Sequence, residues 1–250
     1  MLSFVGLGLY DERSITLQGR ETLQRADHVF AERYTSHLAG ASIVDIENAH
    51  DISIDVRDRA GVEQHPEPIL SAAESGHTVF LVGGDPMVST THVDLRLRAH
   101  ERDIETRIIH GTTAQTAASS LTGLQNYRFG KATTLPFGET HGGVPKSVLK
   151  TIRDNRNRGL HTLVYLDIKA AENRFMTGEQ AATLLADHLD TIGVVVARAG
   201  SENPIVRAGE LETLASESFG SPLHLLVIPA ELHEMERESL VAFAGLPESA

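Results

Sequence analysis

The sequence predicts an α/β protein in two parts, and three observations carry that reading. Short β-rich apolar runs recur along the chain, at residues 2–8, 28–31, 78–82, 105–109, 131–135, 161–166, 193–199 and 224–228. Stretches of helical length and periodicity lie between most of them. Several runs end in Gly or another turn signal, as strands do where they open into loops. Such alternation predicts mostly parallel sheets with helices on their faces.

In chain order, residues 2–8 read as a buried strand, 16–27 as a helix and 28–31 as a short strand. The charged and polar stretch 45–64 reads as a surface excursion. Residues 68–75 form a helix stopped by Gly76, and 78–82 a strand ending at Gly83-Gly84. A helix at 90–102 and a strand at 105–109 close the first series. In the second half, 113–121 is a small-residue helix before Gly123, 131–135 a strand, and the stretch to Gly143 a loop. A helix at 145–157 is stopped by Gly159. Strands follow at 161–166, 193–199 and 224–228, with helices at 179–188 and 210–218 between them. The boundary is placed near Gly111, giving domains 1–111 and 112–250, whose cleft is the expected ligand site.

Composition narrows the function. Of the residues, 41% are hydrophobic and 22% charged, the balance of a globular chain, and with 5% aromatics and no Trp the core must be mainly aliphatic. A formal net charge of -12 disfavours nucleic acid and anionic membranes as partners. The only lysines are Lys131, Lys146, Lys150 and Lys169, and an acidic, lysine-poor surface is compatible with a high-salt cytoplasm. The absence of cysteine excludes disulfides, zinc–thiolate sites, iron–sulfur clusters and thiol nucleophiles. The thirteen histidines are scattered without metal-ligand spacing, so no metal is expected. The opening residues lack a basic leader region and no apolar run reaches membrane-spanning length, so a cytoplasmic protein is expected.

Six strand-end segments could carry chemistry. Gly6-Leu7-Gly8-Leu9-Tyr10-Asp11 has glycines that permit a sharp turn or close approach to a ligand, but lacks the third glycine of the dinucleotide fingerprint. Gly83-Gly84-Asp85-Pro86-Met87-Val88 exposes backbone groups and a carboxylate before a rigid proline, and favours a ligand loop over a simple helix cap. His110-Gly111-Thr112-Thr113-Ala114 opens a helix whose amides can cap or bind an anion. Leu166-Asp167-Ile168-Lys169 carries a charge pair, read as structural by itself. Ala197-Arg198-Ala199-Gly200 is a glycine turn, and Pro229-Ala230-Glu231-Leu232-His233 follows the last strand. In parallel sheets all six would converge on one edge, where ligands bind.

The ordered motifs Gly-Leu-Gly-Leu-Tyr-Asp-Glu-Arg at 6–13, Ala-Glu-Arg-Tyr-Thr-Ser at 31–36, Gly-Gly-Asp-Pro-Met-Val-Ser-Thr-Thr-His at 83–92, Leu-Asp-Ile-Lys-Ala at 166–170 and Ala-Arg-Ala-Gly-Ser at 197–201 resemble the diphthine synthase family, within the tetrapyrrole methylases. The first loop has Leu9-Tyr10 where tetrapyrrole enzymes usually have Pro-Gly. The resemblance implies two α/β domains, a homodimer, and S-adenosylmethionine bound between the domains. It further implies methylation of the amino group of a modified histidine, 2-(3-amino-3-carboxypropyl)histidine, on translation elongation factor 2. The implied cofactor contacts are Leu9, Asp85, Val88, Thr113, Ala114, Leu166, Ala197 and His233. Thr113-Ala114 replaces the family's commoner Ser-Ile, and Ala197 is placed to within one or two positions. Glu32, Asp167 and His233 are candidate proton acceptors, and the sequence does not choose among them. The competing readings are a corrin or porphyrin C-methyltransferase and a nucleotide-binding module without chemistry.

Overall fold

A computed structural model of the chain describes residues 1–32, 34 and 38–248, and divides it into two compact units, Met1–Thr113 and Ala114–Ala250. The first unit runs β1 (Leu2–Gly6), α1 (Leu17–Leu23), β2 (His28–Glu32), α2 (Ile43–His50), β3 (Asp55–Arg57), α3 (Arg59–Glu63), α4 (Glu67–Ser75), β4 (Thr78–Val82), α5 (Val93–Glu101) and β5 (Thr106–Ile109). Its sheet has the order β3-β2-β4-β1-β5, and every pairing is parallel. Side chains alternate across it. Leu2, Phe4, Phe80 and Val82 face one cluster, while Val5, Val79 and Leu81 face another. Both faces are therefore covered, as parallel strands require.

Stretch 45–64 is not a mere excursion. Ser42 caps α2 through a reciprocal box with Asp45, and Asp58 caps α3. Between them, β3 pairs with β2 as the sheet's edge strand. Its three residues are too few for a periodicity to register in the sequence.

The second unit comprises α6 (Ala114–Thr122), β6 (Thr133–Leu135), α7 (Gly138–His141), α8 (Lys146–Arg156), β7 (Thr162–Leu166), β8 (Ile168–Lys169), β9 (Arg174–Phe175), α9 (Gly178–Ala186), β10 (Ile192–Ala197), β11 (Ile205–Glu210), α10 (Leu211–Leu214), β12 (His224–Ile228) and α11 (Glu234–Ala244). The main sheet has the order β11-β10-β12-β7-β6. Here the expectation of a mostly parallel sheet fails. Only β6–β7 is parallel, whereas β7–β12, β12–β10 and β10–β11 are antiparallel. For β10–β11 the reason is connection length. Residues 198–204 join β10 to β11, and a parallel crossover needs a dozen residues or more. The helix expected at 210–218 is only the one-turn α10, and β11 takes Glu210 ahead of it. The stretch before Gly143, expected to be a loop, holds the one-turn helix α7.

Candidate active site

In the first unit the C-terminal ends of β1, β2, β4 and β5 share one edge, because the sheet is parallel. The glycines there serve each other before any ligand. Gly8 and Gly84 bridge their loops, with Gly84 N–H donating to the Gly8 carbonyl at 2.7 Å and Gly8 N–H returning a bond at 3.2 Å. A Cβ on Gly6 would come within 2.4 Å of the Gly84 carbonyl oxygen, and one on Gly111 within 2.2 Å. Three loops thus meet backbone to backbone, and only glycine allows it. Gly84 itself has φ +72, and a Cβ there would find nothing nearer than 4.0 Å, so this backbone borders open space.

Asp85 is a buried carboxylate of this edge, at 6% exposure. Its Oδ1 accepts the Met87 N–H at 3.0 Å and its Oδ2 lies 2.7 Å from His110 Nδ1. Both oxygens therefore shape the loops. Leu9 is half-buried, and its carbonyl accepts from the Ser14 hydroxyl and from Asp11 N–H. Val88 is 40% exposed, a large apolar side chain presented to solvent. Thr113 and Ala114, both half-buried, end the first unit and begin α6. Glu32, at the end of β2, is 2% exposed, and its Oε2 accepts Tyr34 N–H at 2.9 Å. Of the motif at 31–36, Arg33, Thr35 and Ser36 lie outside the described residues.

The second unit corrects the expectation of convergence. Strands β7 and β10 run the same way, because each is antiparallel to β12, so their ends share an edge. The end of β12 lies at the opposite edge, and with it the Pro229–His233 segment. His233 is exposed and caps α11: its Nδ1 accepts Met235 N–H at 3.4 Å, and its own N–H donates to Glu236 at 2.9 Å. It is not brought together with Leu166 and Ala197. The residue of β12 that does sit beside Ala197 is His224. This imidazole is buried, with Nδ1 accepting Gly178 N–H at 2.9 Å and Nε2 3.0 Å from the Ser221 carbonyl. Burial holds it below the ordinary histidine range.

Leu166 is 6% exposed at the end of β7, its side chain in the core. Ala197 is fully buried, and its backbone is paired on both sides by Ile205 and His224. It has no surface to give a ligand. The segment re-emerges from Arg198 onward, with Arg198 and Ala199 half-buried and Gly200 exposed. Asp167 accepts Phe137 N–H at 3.1 Å. The charge pair foreseen between Asp167 and Lys169 is instead Lys169 with Glu139 at 3.5 Å. Arg174 joins Glu139 at 2.7 Å, and both cations lie over the Phe137 ring. Sheet topology hid these partners from the sequence, since β8 and β9 form a separate two-stranded ribbon.

An all-parallel sheet with glycine loops at the carboxyl ends of its strands is the arrangement with which α/β proteins bind small ligands. The chain belongs to the tetrapyrrole (corrin/porphyrin) methylases, whose family profile matches residues 1–215. More particularly, it is 65% identical over 261 residues to the diphthine synthase of Natronomonas pharaonis, covering 100% of this chain and 98% of that protein. It is 63% identical to the diphthine synthase of Haloarcula marismortui, covering 98% of each. A diphthine synthase crystal structure matches with a TM-score of 0.92 at 39% identity, over 99% of this chain and 97% of that one. The likeness foreseen from the motifs holds along the chain, and the protein is a methyltransferase. No helix among the described residues is long and apolar enough to cross a membrane.

Proposed function

We propose that this enzyme transfers methyl groups from S-adenosylmethionine to the amino group of 2-(3-amino-3-carboxypropyl)histidine on translation elongation factor 2, forming diphthine in diphthamide biosynthesis. The observation that carries this reading is full-length identity above 60% to diphthine synthases. The Leu9-Tyr10 departure from the tetrapyrrole loop supports it.

The chemistry of the first unit's edge fits the cofactor. Open backbone at Gly84 accommodates a close-lying ligand, Asp85 supplies a carboxylate acceptor for hydroxyl or ammonium groups, and Val88 adds apolar contact. Leu9, Thr113 and Ala114 complete the set on that side. In the second unit, Leu166 and the turn at 198–200, rather than Ala197 itself, are the proposed contacts. When bound, S-adenosylmethionine supplies an electrophilic methyl on its sulfonium. The protein's task is then to align a neutral amine with the S–CH₃ bond, and alignment alone contributes several kcal/mol. The amine sheds a proton before each transfer, to a nearby carboxylate, imidazole or water, because an ammonium has no lone pair to attack with.

We further propose a homodimer, which sedimentation should detect as about twice the 27.1 kDa chain mass. The test of function is mass spectrometry of the elongation factor after incubation with enzyme and cofactor. One methyl mass per transfer is expected on the peptide holding the modified histidine, and none on unmodified histidine. Methylation of a porphyrin precursor with an unchanged elongation factor would overturn the proposal. Cofactor binding without turnover on either substrate would favour a non-catalytic module.

A further inference from the structure

Next to the glycine loops, the end of β2 carries a cluster that the cofactor reading leaves unused. His92 precedes α5 and is 1% exposed, its ring meeting Phe80 edge-on at 5.2 Å. Its Nδ1 lies 3.3 Å from the Pro86 carbonyl oxygen, and its Nε2 lies 3.5 Å from the Tyr34 hydroxyl. A carbonyl only accepts, so Nδ1 carries the proton. That leaves a lone pair on Nε2, and the Tyr34 O–H donates to it. Burial, reinforced by Glu32 and Glu63, holds the Tyr34 phenol above its ordinary range, so it remains a donor. Tyr34 is fixed in turn by its N–H bond to Glu32 and by the Arg59 guanidinium 5.0 Å over its ring. From the far side, Thr91 donates to Glu63 at 2.9 Å, tying the same loop to α3.

The loop needs such a strut. Gly84 precedes Pro86 at φ +72, and Ser89 follows it at φ +56, so the backbone reverses on both sides of the proline. Proline has no N–H, and its carbonyl is the only polar backbone group by which position 86 can be held. We propose that Tyr34 and His92 are positioning residues for the cofactor loop. Tyr34 O–H orients the His92 imidazole, His92 Nδ1–H holds the Pro86 carbonyl, and Pro86 thereby sets Asp85 before it and Val88 two residues after it. A loop ordered in advance spares the ligand the cost of ordering it. This inference rests on reading that edge as the S-adenosylmethionine site.

The test is calorimetric titration of the full chain with S-adenosylmethionine, alongside methyl-transfer kinetics, for Tyr34→Phe, His92→Leu, His92→Asn and Asp85→Ala. Tyr34→Phe should weaken cofactor binding about three- to tenfold, the size of one neutral hydrogen bond. Turnover at saturating cofactor should stay close to that of the unmodified enzyme. His92→Leu should lose more, about tenfold or beyond, and Tyr34→Phe should add nothing to it. His92→Asn, whose amide N–H can replace Nδ1–H, should recover most of the affinity. If His92→Leu does not fold, Tyr34→Phe and His92→Asn carry the test. Folded Tyr34→Phe and His92→Asn variants, both binding like the unmodified chain while Asp85→Ala is weakened, would overturn the positioning role and leave the cofactor site standing. No effect from any variant, Asp85→Ala included, would overturn both.

Discussion

The Nε2 of His161 and the Oε1 of Glu236 lie 2.9 Å apart, both side chains fully buried, although the two residues are 75 positions apart in the chain. Glu236 also accepts the backbone N–H groups of Gln125 and His233, each at 2.9 Å, and pairs with Arg128. His161 Nδ1 accepts Ala230 N–H at 3.1 Å, so its proton sits on Nε2 and points at the carboxylate. One carboxylate thus joins the segment after α6, the start of β7 and the cap of α11. Glu236→Ala should destabilise the chain by about 3–5 kcal/mol, because it strands buried donors. Urea unfolding measures this, and a loss below that of an ordinary surface substitution would contradict it.

Acid should weaken the fold earlier than carboxylate titration alone would. Burial holds His161, His92 and His224 below the ordinary histidine range, against the pull of nearby Glu236, Glu32 and Glu179. The unfolded chain protonates these rings near pH ~6.5, while the folded chain resists until lower pH. Their contribution is therefore complete above that value and falls away as pH drops toward the folded pKa. For Glu236, burial favours the neutral acid, but the bonds from His233, Gln125 and His161 outweigh it and hold the carboxyl low. Its contribution is lost at still lower pH. Urea midpoints should fall between about pH 7.5 and about pH 5, and the fall should be smaller in His161→Asn.

Gly111→Ala and Gly84→Ala should separate. At Gly84 the penalty is conformational, about 1–2 kcal/mol for a left-handed backbone with open space around it. At Gly111 a methyl would sit 2.2 Å from the Gly84 carbonyl oxygen, and rigid backbone cannot yield. That substitution should cost about 3 kcal/mol or more and should loosen cofactor binding with it. Equal thermal stability of the two variants would refute the close approach of the loops.

Asp85→Ala should weaken S-adenosylmethionine binding by about 0.5–3 kcal/mol if the carboxylate accepts from the cofactor. Part of any loss would come from the loop, since the Met87 N–H bond is lost too. His110→Ala separates the contributions, because it removes only the exposed partner of Oδ2. Affinity should survive that change largely intact.

His233→Ala should leave cofactor affinity unchanged and lower stability by about 1 kcal/mol, the usual worth of a helix cap. The topology motivates this, since His233 lies at the edge opposite the ends of β7 and β10. Marked loss of cofactor affinity, with the helix cap shown intact, would return His233 to the site.

The strand cores, the glycine turns and the family likeness were legible in the sequence by itself, because each rests on local pattern. Thr78–Val82 and His224–Ile228 have the bounds their composition suggested, since a buried strand announces itself as an unbroken β-rich run. Such runs end in the loops that hold Leu9, Asp85 and Val88, but these three residues were singled out by the family likeness, not by the pattern. Strand direction is not local. The tertiary structure alone reversed β12 relative to β7 and β10, sending His233 to one edge and bringing His224 to the other. It alone paired Glu236 with His161 and Tyr34 with His92, because these partners stand 75 and 58 residues apart, and only packing against shared neighbours brings them together.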